Sequence, residues 1–169
     1  MENNQKVVRI ALYVSLALAV YLIEAFIPVP VPIPGFKWGF SNFVVLMSLM
    51  ALDTRGVLWV VVLKVLLGSF LTGKFLSPVF FISFFGNVSG ALAMIAVSKT
   101  SCFGYIGISV IGAFASNLAQ IGICGVWLLR SAYIWYFFPY IAVMGTVSGV
   151  LNALVAKGGE QWFQTYQRT

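Results

Sequence analysis

Six apolar runs, at roughly residues 10–27, 39–52, 57–72, 78–98, 104–129 and 134–156, follow one another with only short breaks. A water-soluble domain of 169 residues has too small an interior to hide so much apolar surface. With 61% hydrophobic and 8% charged residues, the chain belongs in a bilayer, where a spanning helix needs about 20 mostly apolar residues. The expected fold is an all-α integral membrane protein, a single transmembrane domain over residues 1–169 built as a bundle of about six helices. The second and third runs are short for independent spans and could be merged or re-entrant, which leaves five or six helices.

The breaks have local causes. A proline run at 28–34, Asp53-Thr54-Arg55-Gly56, Gly73-Lys74, Lys99-Thr100-Ser101 and Arg130-Ser131 each stop a helix or turn the chain. Ser77 before Pro78 reads as a helix start, with serine as cap and proline in the first turn. Ala17-Leu18-Ala19 resembles a signal-peptide cleavage site, but the apolar run continues to Ile27, so the segment reads as the first span. An even number of spans puts both termini on one side. Assigning that side to the cytoplasm leaves Lys6, Arg9, Arg55, Lys99, Lys157 and Arg168 inside against Lys37, Lys74 and Arg130 outside, as the positive-inside rule asks.

Several function classes are poorly provided for. The only carboxylates are Glu2, Glu24, Asp53 and Glu160, and there is no histidine, which removes most acid–base and metal chemistry. No enzyme is expected. The net charge of +6 is scattered singly between apolar runs and reads as topology signals, not as a nucleic-acid surface. Cys102 and Cys124 form no close motif and read as packing residues.

Polar groups inside a bilayer need partners or a task. Glu24, Asn42, Lys64, Asn87, Asn117, Gln120 and Asn152 are the candidates. Lys64 lies about 10 Å of helix from either end of its span, so it should face a polar cavity or pair with Glu24. Asn117 and Gln120 share a helix face with Ala113 and Cys124, a stripe that either packs or lines a pocket. Gly86-xxx-Gly90 beside Asn87, and Gly145-xxx-Gly149 before Asn152, read as close helix packing. Ala11, Ser15 and Ala19 stack on one face of the first span, fit to receive another helix of this chain or of another protein.

Each expected outer connection carries one basic residue: Lys37, Lys74 and Arg130. Phe36, Trp38, Phe40, Phe75, Tyr133, Trp135 and Tyr136 crowd the same level. Most fit an interfacial aromatic belt, yet cations beside planar rings also suit a ligand with a flat ring and an anionic group. The stretch PVPVPIPGFKWGFSN at 28–42 therefore reads as an outer flap over a binding cavity.

Three ordered stretches, PGFKWGFSN, LKVLLGSFLTGKFLSP and IGAFASNLAQ, resemble the Gx transporter family, also labelled heptaprenyl diphosphate synthase component I, over roughly residues 8 to 156. That family is similar to the substrate-binding S components of energy-coupling factor (ECF) transporters. The resemblance implies a six-helix bundle that binds a vitamin-like solute from outside, with a transmembrane coupling protein and two cytoplasmic ATPases as partners that consume ATP. It marks Gly35, Lys37, Gly39, Asn42, Gly68, Ser77, Pro78, Asn117 and Gln120, and gives the Ala11, Ser15, Ala19 row a partner to contact. Where many relatives have histidine before the asparagine, this chain has Ser116, which puts ligand identity in doubt.

The resemblance thus implies an S component in the bacterial cytoplasmic membrane. Its expected ligand is an anionic aromatic solute, a flavin or flavin nucleotide above all, bound by Lys37, Trp38, Asn42, Lys64, Lys74, Asn87, Asn117, Gln120 and Arg130. No metal site and no covalent cofactor are expected. The alternative is isoprenoid or quinone-precursor transport, or a non-catalytic partner of a polyprenyl diphosphate synthase. Catalytic prenyl transfer itself needs clustered aspartates to hold magnesium, and Asp53 is the one aspartate.

Overall fold

A computed structural model describes residues 2–27, 38–100 and 102–166. The proline run at 28–34, together with Gly35, Phe36 and Lys37, lies outside the described residues, as does Arg168. Among the described residues the chain is an all-α bundle of six α-helices: α1 (Glu2–Glu24), α2 (Asn42–Ala51), α3 (Thr54–Leu71), α4 (Pro78–Ser98), α5 (Tyr105–Ile123) and α6 (Phe138–Tyr166). Five helical stretches are long and apolar enough to cross a membrane, and α2, at ten residues, is not. This is a multi-pass membrane protein, and its outward apolar side chains, such as Trp59, Phe70, Val126 and Val143, face where lipid would be.

The helix starts follow the sequence signals. Ser77 accepts the N–H of Phe80 through its hydroxyl, and Pro78 takes the first helical position, where a missing N–H costs nothing. Asp53 caps α3 by accepting the N–H of Gly56 at 3.3 Å, and it also pairs with Lys6 at 3.0 Å. That pair ties the start of α1 to the start of α3, so Lys6 and Asp53 share one end of the bundle, as the topology requires. After Ile123 the helix continues as a π-helical turn, Cys124–Leu129, and ends at Arg130 in the left-handed region (φ 46°). A 3-10 turn, Ala132–Phe137, then leads into α6. Gly125 makes this corner possible, because a Cβ there would lie 2.7 Å from Ile134.

The long helices pack in the sequence of neighbours α1–α3–α4–α5–α6, and the short α2 touches all five of them. α2 is therefore the central wedge of the bundle. Its Val45 and Leu46 join Val57 and Val61 of α3, Ala91, Met94 and Ile95 of α4, Ile108 of α5 and Ala153 and Ala156 of α6 in the main apolar core. Those positions lie at the end of the bundle where α3 and α5 begin and α4 finishes. The opposite half, where α1 finishes and α2 and α4 begin, carries the polar side chains.

The two glycine pairs divide their labour. Gly90 and Gly149 do allow backbones to approach: a Cβ would lie 2.9 Å from the Gly112 carbonyl oxygen in one case and 2.9 Å from Val110 Cα in the other. Gly86 and Gly145 do not face backbone. A Cβ at Gly86 would meet Gln120 Cγ at 2.5 Å, and a Cβ at Gly145 would collide with Asn117 Nδ2. The expectation of helix packing therefore holds for the second glycine of each pair. The first glycine instead seats a polar side chain of α5.

Candidate functional site

The polar half of the bundle encloses a cavity between α1, α2, α4, α5 and α6. Glu24, Trp38, Asn42, Asn87, Asn117 and Gln120 line it, together with Tyr21, Gly39, Ala113 and the serines Ser41, Ser83, Ser116 and Ser148. Its volume is ≈ 20 Å³, about the room one water needs.

The mouth is formed by residues 38–42, which three buried side chains hold from different helices. Glu24, at the end of α1, accepts the backbone N–H of Gly39 and, at 3.4 Å, that of Ser41. Lys64, fully buried in α3, donates to Ser41 Oγ and Asn42 Oδ1, both at 3.2 Å. Asn152 of α6 donates to the carbonyl oxygen of Gly39 at 2.9 Å. Gly39 has φ +79°, a conformation that L side chains rarely adopt, so glycine is required at this turn. Ser41 precedes α2 but makes no side-chain cap. Its hydroxyl serves Lys64 instead, so a local helix preference has given way to the site.

The walls come from α4 and α5. Asn87 Nδ2 donates to the Ser83 carbonyl at 2.8 Å, and Asn117 Nδ2 to the Ile141 carbonyl at 3.2 Å. Gln120 Nε2 donates to Ser116 Oγ at 3.1 Å, while Gln120 Oε1 is buried with no hydrogen-bond partner. Gly68, which the family resemblance marks, has a packing role: a Cβ there would lie 2.5 Å from the Tyr21 ring, so glycine lets Tyr21 lie flat on α3 beside the cavity.

The sequence-derived site residues therefore separate into groups. Trp38, Asn42, Asn87, Asn117 and Gln120 come together at the cavity. Lys64 is not at its surface but stands one layer behind, holding Ser41 and Asn42. Lys74 sits in the turn between α3 and α4, and Arg130 at the end of the π turn, both exposed and neither lining the cavity. Lys37 lies outside the described residues. Ala11, Ser15 and Ala19 form an exposed row on α1, Ser15 Oγ bonding back to the Ala11 carbonyl at 2.9 Å.

Residues that sequence reasoning left out of the site are Tyr21, Glu24 and the serines. Glu24 was visible as a polar residue in a span, although only as a partner for Lys64. The serines had a signal: Ser83 precedes Asn87 by four and Ser116 precedes Gln120 by four, so each lies on its amide's helix face.

A family model described as heptaprenyl diphosphate synthase component I matches residues 13–158. No curated protein and no solved structure matches the chain.

Proposed function

Since the chain belongs to the heptaprenyl diphosphate synthase component I family, we propose that it is a non-catalytic, solute-binding membrane component of the ECF type. The observation that carries this reading is the cavity itself. Five helices bring buried amides, serines and a carboxylate to one point, in a bundle whose interior is mostly apolar. Polar groups in a membrane interior are costly, and convergence on a shared space is the arrangement a ligand site requires.

Access follows from the packing. The main apolar core closes the end of the bundle where Lys6 and Asp53 lie, so a solute would reach the cavity from the end carrying Lys74 and Arg130. By the distribution of basic residues that end is extracytoplasmic in a bacterial membrane. A vitamin-sized ligand exceeds the present volume, so binding requires residues 38–42 to move, against the hold of Glu24, Lys64 and Asn152. A coupling protein docked on the exposed Ala11, Ser15, Ala19 row, driven by two ATPases, would supply the reorientation. A flavin is the candidate cargo.

The second reading is a membrane partner of a polyprenyl diphosphate synthase, favoured by the family description, which names a synthase component. Native mass spectrometry with an absorbance spectrum, on protein purified gently from its own host, separates the two. Co-purified small molecule together with a coupling protein and ATPases supports the first. A colourless protein accompanied by a prenyl synthase and no solute overturns it in favour of the second.

A further inference from the structure

The cavity has a polarity that its residue types alone do not reveal. Asn87 and Asn117 each direct their amide nitrogen to a backbone carbonyl, Ser83 O at 2.8 Å and Ile141 O at 3.2 Å. A carbonyl can only accept, so these contacts fix which end of each amide faces the protein and leave oxygen for the cavity. Gly145 reinforces this, because it is the Asn117 nitrogen that occupies the space a Cβ would need. Gln120 differs in that its Nε2 lies on Ser116 Oγ, a hydroxyl able to donate as well as accept, while its Oε1 is buried and without a partner among the described residues. Across from them stands the Glu24 carboxylate.

Three amide oxygens and a carboxylate therefore surround the space. The buried cation nearest to it, Lys64, directs hydrogen bonds to Ser41 Oγ and Asn42 Oδ1. That leaves the Asn42 amide nitrogen as a donor toward the cavity. A phosphate or carboxylate placed here would meet these oxygens with its hydration removed, offset only by serine hydroxyls and the Asn42 amide, an arrangement that costs free energy. A group bearing N–H or O–H would satisfy the Gln120 oxygen and its neighbours.

We infer that the cavity takes the head of a neutral or cationic solute rich in N–H and O–H donors, with carbonyl-like or hydroxyl acceptors for Asn42 and the serine hydroxyls, and not an anionic group. This rests on the solute-binding reading above and reverses the anionic cargo that Lys74 and Arg130 suggested from sequence.

The test uses the full chain in detergent, wild type and the variants Asn87→Leu, Gln120→Lys and Gln120→Glu, each first checked for an unchanged melting profile. The probe is a deproteinised, desalted metabolite extract of host cells. After washing, retained compounds are released by denaturation and identified by accurate mass. The expected result is a compound with N–H or O–H donors and no phosphate or carboxylate on its wild-type list of retained species. Gln120→Glu, which keeps acceptors, retains it, and Asn87→Leu and Gln120→Lys lose it by about tenfold or more. A phosphate- or carboxylate-bearing compound lost from the same variants overturns this inference and leaves the solute-binding reading standing. Equal retention by all variants places the compound elsewhere and overturns the inference too. No retained compound, or a melting temperature raised only by sodium or potassium ions, sinks both.

Discussion

Asn152 donates its amide N–H to the carbonyl oxygen of Gly39 across 113 residues of sequence, at 2.9 Å. The bond joins α6 to the turn that precedes α2, and so fastens the central wedge of the bundle to the helix that follows the π corner. Gly39 O also takes the N–H of Asn42 at 3.0 Å, so this one carbonyl both closes the turn and anchors it.

Replacing Asn152 with leucine removes the anchor but leaves the carbonyl paired with Asn42. The expected loss is about 1 kcal/mol, with faster backbone hydrogen exchange concentrated in residues 38–46. Asn152→Asp should cost more, since it sets an acceptor against the Gly39 oxygen. Thermal unfolding in detergent and exchange mass spectrometry read the two effects. Unchanged exchange at 38–46 would show that Glu24 and Lys64 hold the turn without help.

The four glycines of the two spaced pairs should respond differently to alanine. Gly90→Ala and Gly149→Ala push a methyl into the backbone of α5, where nothing yields easily, and each should lower stability by about 1–3 kcal/mol. Gly86→Ala meets the flexible end of Gln120, which can swing aside. Its melting temperature should stay near wild type while solute retention falls. A Gly86→Ala protein that binds normally would separate Gln120 from the site.

The sequence carried the spans and most of the polar cavity, because a polar side chain in an apolar run has few places to go except toward another one. Asn42, Asn87, Asn117 and Gln120 were legible for that reason. The glycine roles were not: a spacing of four reports which face a glycine occupies, not whether backbone or an amide lies opposite. Nor was the placement of Lys74 and Arg130, which stand exposed in connections and do not line the cavity. The extension of α1 back to Glu2 and of α6 on to Tyr166 lay beyond the apolar runs, where hydropathy is silent.

The Lys6–Asp53 pair makes a pH prediction. The hydrogen bond from Lys6 holds the Asp53 carboxyl below its usual range. A carboxylate whose folded-state pKa is lowered stabilises above its ordinary, unfolded value and loses that contribution as pH falls through the folded one. The contribution is small and weakens with salt, because both side chains are solvent-accessible. Asp53→Asn keeps a capping oxygen for Gly56 and removes the charge, so it should abolish the acid and salt dependence while leaving the neutral-pH melting temperature nearly unchanged. A large drop for Asp53→Asn at neutral pH would assign the pair a greater role than its exposure permits.

Glu24 and Lys64 meet on a single residue: Ser41 gives its N–H to Glu24 Oε2 at 3.4 Å and takes a hydrogen bond from Lys64 Nζ at 3.2 Å on its hydroxyl. Both side chains are buried, at 3% and 0% exposure, and a coupling through Ser41 would let each charge offset the desolvation of the other. Removing one partner of a buried pair costs about 3–5 kcal/mol, whereas removing both can be nearly neutral. Glu24→Gln and Lys64→Met should therefore each destabilise strongly, and the double variant should melt closer to wild type than the sum of the singles allows, with a coupling of at least about 1 kcal/mol. Additive losses would mean that residues 39–42 satisfy each charge separately. In that case Lys64→Met alone, by releasing Asn42 Oδ1 and Ser41 Oγ at the cavity from their shared cation, should alter solute retention without involving Glu24.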